Sequence, residues 1–444
     1  MQRNKLKKIV LIIFIILLGL YNSNMFMFDI LDSINIKFSN FFHTSNILKM
    51  TGVRNKFFKI NDDFTQIFLD NHKYNYLEKF KIEMSSNDII YFENLLKDVM
   101  SEGGRPMNFS ENRKVEIDYL DNKYKAKLSL SGQSHNHWLY PKKSLKIKFI
   151  NEAPENSNNI RLFIPDDRSF FSPFISSSVN KKLSNISVNS KFINVEINGV
   201  QKGLYYMEEA YDSALYEKNG ISGIHIITKK EDSSLNQFKF NSIDEIKDID
   251  KYNKETQKKI NDYIKFFLES ISKNDVKMVN KYIDIEKQSS FEAWRLILGM
   301  NHDVYASNLR LAYQADSGKL YMIPRLESNI NKFEETYDQD LLSKIIHKNS
   351  LIIKKRNEKI VALIEKKEDF LNQYKDLKNL YYNAIMQDNY ISRARRVRKK
   401  KIDDDWESLS HNLNINNYNT ILNTAIPIEP VEINSKTYQG VTHI

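Results

Sequence analysis

Asp303 and Asn308 carry the clearest chemistry in the chain, in the spacing Asp-x4-Asn. A carboxylate so placed can take the proton of an attacking hydroxyl while the amide holds Mg2+, as in a phosphoryl-transfer loop. The same pair also reads as a turn aspartate and a capping asparagine. Cations for phosphate oxygens stand in the run Leu145-Lys146-Ile147-Lys148-Phe149. Its alternation puts Lys146 and Lys148 on one face of a strand, either solvated or turned over a cleft. Before it lies Ser131-Gly132-Gln133-Ser134-His135-Asn136-His137-Trp138. His135 and His137 could ligate a metal, but no third ligand is identifiable. The polar loop around Gly132 could instead lie over phosphates.

Several elements must position these groups. Residues 291–300 have helical spacing, and strands are expected at 309–313 and 319–323, joined by Asp316-Ser317-Gly318. Upstream, 79–84 reads as a strand and 89–100 as an amphipathic helix after a cluster of capping residues. Strands are expected at 113–119, 124–131, 144–150, 191–197 and 203–207, with Asn198-Gly199 as a tight hairpin turn between the last two. Glu208-Glu209 leads into a helical stretch over 210–219. Residues 166–183 read as a helix interrupted at Pro173, and 233–286 and 339–387 as mostly helical. A strand is expected at 224–228 and two strand-like pieces at 431–433 and 438–442. The basic stretch 392–401 reads as a solvated helix face or as a contact to an anionic polymer or headgroups.

With 444 residues, a net charge of +10 and a pI near 9.1, the chain has ample core and favours an anionic partner. It has no cysteine, which excludes disulfides, thiolate catalysis and cysteine-bound zinc. Arg3, Lys5, Lys7 and Lys8 precede an uncharged apolar run, so residues 1–28 read as a signal anchor. The basic flank places the N-terminus in the cytoplasm and the main domain outside the membrane.

Three blocks, 128–149, 194–215 and 299–324, together with the opening helix at 85–100, resemble the CotH kinase family in order and content. They look closer to its branch found near bacterial surface-polysaccharide genes. The resemblance implies an α+β, atypical protein-kinase-like fold: a mainly β N-lobe and a helical C-lobe. It also implies four parts: the anchor at 1–28, a linker at 29–77, the kinase-like domain at 78–385, and a basic helix and tail at 386–444. By position, Asp303 would be the base-like acid and Asn308 a metal ligand. One of Lys142, Lys146 and Lys148 would reach the phosphates, oriented by Glu209 or Glu208. The implied cofactor is ATP with Mg or Mn.

The chain departs from the family at one point. Where relatives carry Pro-Trp-Asp-x-Asp, it reads Pro324-Arg325-Leu326-Glu327-Ser328. Leu326 takes the place of the metal-binding acid, and Glu327 is the nearest carboxylate. Two functions are therefore open. One is an envelope kinase acting on a protein or glycan hydroxyl in surface-polysaccharide assembly. The other is a pseudokinase that scaffolds an anionic glycan or an envelope protein. No nucleic-acid partner is expected.

Overall fold

The computed structural model describes residues 76–102, 111–132, 137, 142–220, 224–229, 243–246, 253–300, 310–314, 317–325, 329–333, 341–388 and 395–418. The expected anchor, nearly all of the linker and the two short strands at 431–433 and 438–442 lie outside these residues. Among the described residues no helix is long and apolar enough to cross a membrane.

Seven strands close into a barrel. β1 (Lys79–Glu83) is followed by α1 (Ser86–Glu102), β2 (Arg113–Tyr119), β3 (Asn122–Leu130), β4 (Leu145–Phe149) and β5 (Asn159–Phe163). Helix α2 (Ser172–Lys182) leads to the hairpin of β6 (Ser190–Ile197) and β7 (Val200–Glu209). The order is β1-β2-β3-β4-β5-β7-β6, and a parallel pairing of β1 with β6 closes it. Closure leaves no open edge, a tighter solution than the two-lobe resemblance alone specifies. Alternation fills the inside: Leu145, Ile147 and Phe149 of β4 point inward with Val115, Ile117, Ile160 and Leu162. Leu95 of α1 packs on the same core. Both turn residues of the β6–β7 hairpin, Asn198 and Gly199, have positive φ, at 49° and 75°, as a two-residue turn with right-handed strand twist requires.

The rest of the chain builds a helical lobe around a small sheet. Its elements begin with α3 (Ser213–Lys218), β8 (Ile224–Lys229) and β9 (Ile243–Ile246). They continue with α4 (Lys254–Ser272), α5 (Val276–Tyr282) and α6 (Ile285–Leu298). The hairpin of β10 (Arg310–Gln314) and β11 (Lys319–Met322) completes a sheet of order β11-β10-β8-β9. Four helices follow: α7 (Leu341–Ile346), α8 (Ser350–Glu365), α9 (Lys367–Gln387) and α10 (Arg395–Asn412).

Three expectations change. Pro173 starts α2 rather than interrupting a helix, because a first-turn position needs no N–H donor. The stretch 233–286 contains the strand β9, which pairs with β8. The stretch 339–387 is three helices, and Asn349 ends one and caps the next through bonds from Leu351 N and Ile352 N.

Helix α6 is the axis of this lobe. Asp284 caps its start, Gly299 ends it at φ 60°, and every residue from Gln288 to Leu298 is buried. The outer face of the barrel packs on the same core through Phe163, Phe192, Leu204 and Tyr206. Trp294 Nε1 donates to Ser176 Oγ at 2.9 Å, which ties α6 to α2. At the far end, Asn412 of α10 donates to Ile297 O and Asn331 O at 2.9 and 2.7 Å. Helix α10 thus belongs to the lobe, with Ile402, Leu409 and Leu413 in its core. The basic stretch is divided accordingly. Arg398 is buried and donates to Ile385 O and Asp388 O, while Lys399 and Lys400 are exposed.

Asp405 of α10 is buried and accepts from Ser172 Oγ at 2.7 Å. Burial pushes its carboxyl up to about 8, against the pull of Ser172 and Lys401. The folded chain thus keeps a proton that the unfolded chain releases above about pH 4. Stability from this group is complete below that pH and is lost as pH rises towards 8. Relative to Asp405→Asn, the wild type should therefore lose stability between about pH 4 and 8, at no more than about 1.4 kcal/mol per pH unit. Denaturant melts of both proteins across that range check this; a gap that does not change with pH would contradict it.

Candidate functional site

The alternation of β7 sends its two terminal acids to opposite faces. Glu209 points to the barrel mouth, opposite Ile160. There it accepts from Ser157 Oγ at 2.6 Å, Lys218 Nζ at 2.6 Å and Asn189 N at 2.9 Å. Three donors fix this carboxylate between the barrel and α3. Glu208 points outward, opposite Arg161 of β5. Arg161 in turn stands opposite Lys146 of β4. One row thus crosses the outer wall: Lys146, Arg161, Glu208. Strands lie about 4.8 Å apart, so two intervals separate Lys146 from Glu208, and Arg161 fills the gap. The acid that was expected to orient a lysine is thus registered on an arginine.

The row has further cations. Arg168, in the turn just before α2, places its guanidinium 3.7 Å from the centre of the Phe163 ring and 3.8 Å from Glu208 Oε1. Lys148 shares the outward face of β4 and stands between Lys127 and Asn159. Desolvation against the wall, followed by the nearby charges of Arg161 and Lys148, holds the Lys146 ammonium below its ordinary pKa. A concentration of positive charge with one carboxylate suits the oxygens of a phosphate chain.

Lys142 lies elsewhere. It is buried, donating to Leu204 O at 2.6 Å and to Asp388 Oδ2 at 2.8 Å. The same Asp388 oxygen accepts from Leu204 N at 2.8 Å. Lys142 therefore joins the end of the loop before β4 to β7 and to the end of α9, and its charge is spent on that joint. His137 sits in the same loop, with Nδ1 3.0 Å from Asp167 Oδ2 and its backbone carbonyl accepting from Ser144 N at 2.7 Å. Gly132, at φ 94°, lies against the His137 ring, where a side chain would collide. Among the described residues no group of three or more His, Asp or Glu could hold a metal.

Asp303, Asn308, Leu326 and Glu327 lie outside the described residues. The residues beside the Leu326–Glu327 segment are placed. Tyr211 donates to Pro324 O at 3.1 Å, the Arg325 guanidinium lies 5.6 Å from the Tyr211 ring, and Ser169 Oγ bonds Asn329 Oδ1. Tyr211 follows Glu208-Glu209 by two residues and Ser169 follows Arg168 by one. Pro324, Arg325 and Asn329 are thus held by Tyr211 and Ser169, the chain neighbours of Glu209 and Arg168.

The sequence model of the family described as CotH kinase protein matches residues 128–408. The chain belongs to the CotH kinase family. The match runs from the end of β3 through most of α10, so it takes in the cation row, the Lys142–Asp388 joint and the Asp303–Asn308 loop. No curated protein matches the chain. In this CotH kinase family member the alternation of Asn159-Ile160-Arg161-Leu162-Phe163 was the available signal for Arg161. Asp388 had none, because its partner is 246 residues away.

Breaking a buried ion pair from one side strands the other charge, at about 3–5 kcal/mol. Lys142→Met should cost about that much, and Lys142→Met/Asp388→Asn less than the sum of the two single changes. A double-mutant cycle by denaturant unfolding measures it; additive costs would show that the two side chains do not depend on each other.

Proposed function

We propose that the outer wall of the barrel receives the phosphates of a nucleotide. The row Lys146–Arg161–Glu208, with Arg168 beside it, carries this reading. Arg161 and Lys146 meet the phosphate oxygens, and Glu208 orients Arg161. Asp303 accepts the proton of an acceptor hydroxyl on a protein or glycan. Asn308 and Glu327 are the side chains that would hold Mg or Mn, whose charge neutralises the phosphate oxygens. Residues 1–28 anchor the chain, with the kinase-like domain on the outer side of the membrane, where surface polysaccharide is assembled.

A second reading rests on Leu326 at the position of the family's metal-binding acid. The same row would then hold an anionic glycan or a partner protein without phosphoryl transfer.

Nucleotide-induced thermal stabilisation separates the two, since a ligand that binds the folded state raises its melting temperature. Under the first reading, millimolar Mg-ATP or Mn-ATP raises the melting temperature of the wild type. Arg161→Met weakens binding at least about tenfold, a loss of about 1.4 kcal/mol. Glu327→Ala abolishes the metal dependence, and Leu326→Asp preserves or strengthens it. A wild type that does not respond, with Glu327→Ala unchanged, favours the scaffold. The anchor has its own test. Protease added to intact spheroplasts should degrade the chain beyond residue 30, and protection until lysis would reverse the topology.

A further inference from the structure

A second concentration of positive charge lies away from the cation row. Helices α2, α6 and α8 line an open pocket of about 290 Å³. Lys182 comes from the last turn of α2, Lys287 from the first turn of α6, and Lys359 and Lys366 from the C-terminal half and end of α8. The pocket lies at the opposite end of α2 from Arg168, and the 11 residues of that helix span about 16 Å.

Against four lysines the lining offers one carboxylate, Glu286, which is shared between Lys359 of the lining and Lys355 outside it, so the lining keeps a net positive charge. Glu286 accepts from Lys355 and Lys359, and these bonds hold its carboxyl down to about 2. Lys287 donates to the carbonyl of Ser184 at 2.7 Å, a bond that leaves its charge in place. Among the described residues Lys182 pairs with the exposed Asp369, at 3.5 Å. Ammonium groups that converge repel one another, and a concave wall concentrates the potential they make. A bound oxyanion would offset this repulsion.

We propose that this pocket binds a compact oxyanion carrying two or more negative charges, with phosphate or carboxylate groups. Its volume suits a small anion rather than a polymer chain. Lys182 and Lys366 are exposed at the rim and meet the anion as it enters, while Lys287 lies deeper. The site is separate from the proposed nucleotide wall and does not depend on it.

Calorimetric titration of the full chain with inorganic pyrophosphate and with citrate, at fixed ionic strength, tests this. At least one of the two should bind, and the tighter one names the preferred group. Lys182→Glu/Lys366→Glu should weaken binding at least tenfold. Both side chains are exposed and the Lys182–Asp369 pair is a surface one, so the unliganded melt should remain cooperative and close to the wild-type temperature, showing that the fold is intact. Arg161→Met should bind the anion as the wild type does. The proposal is overturned if neither anion binds at millimolar concentration, if the double charge reversal leaves affinity unchanged, or if Arg161→Met alone removes binding.

Discussion

The joint between Lys142 and Asp388 constrains everything around it. Two opposite charges are fully buried, and both also bond the backbone of Leu204, one at its carbonyl and one at its amide. A buried pair of this kind adds little net stability over an apolar contact, but a mispaired alternative would leave a bare charge in the core. What it supplies is register. It fixes the loop that ends at β4, the middle of β7 and the end of α9 relative to one another. Arg398 then ties α10 to the same point through the carbonyl of Asp388.

The consequences reach the proposed site. With β7 held at Leu204, its alternation decides that Tyr206 and Glu208 face outward and that Met207 and Glu209 face the barrel interior and mouth. Tyr206 joins the core of the helical lobe, and Glu208 comes to stand beside Arg161 and Arg168. Glu209 is drawn off by Ser157, Lys218 and Asn189 and becomes a strut for α3. Two adjacent acids of identical chemistry therefore do different work, and the side of the strand separates them.

Much of the fold was legible in the sequence, because alternation and turn chemistry are local. The run Leu145 to Phe149 and the Asn198-Gly199 turn could be read directly, and each element took the form they specify. The family could be read from the order of its separated blocks. Other features escaped for physical reasons. Pro173 looked like a breaker because its place in the first turn depends on where the preceding turn stops. Strand β9 is short and lies in a polar stretch, and it exists through pairing with β8. Lys142 looked equivalent to Lys146 and Lys148, and only the distant Asp388 distinguishes it. Arg161 was passed over because its significance comes from neighbours on two other strands.

The central claim is that the outward cations of the barrel wall face Asp303. The chain has no cysteine, so two introduced thiols can carry spin labels at chosen positions alone. Labels at Lys148→Cys and Asp303→Cys, measured by double electron–electron resonance, test it most directly. A triphosphate and its metals span roughly 12 Å, and two label arms extend this to an expected distance below about 25 Å. A distribution centred well beyond that limit would place Asp303 away from the wall and contradict the account.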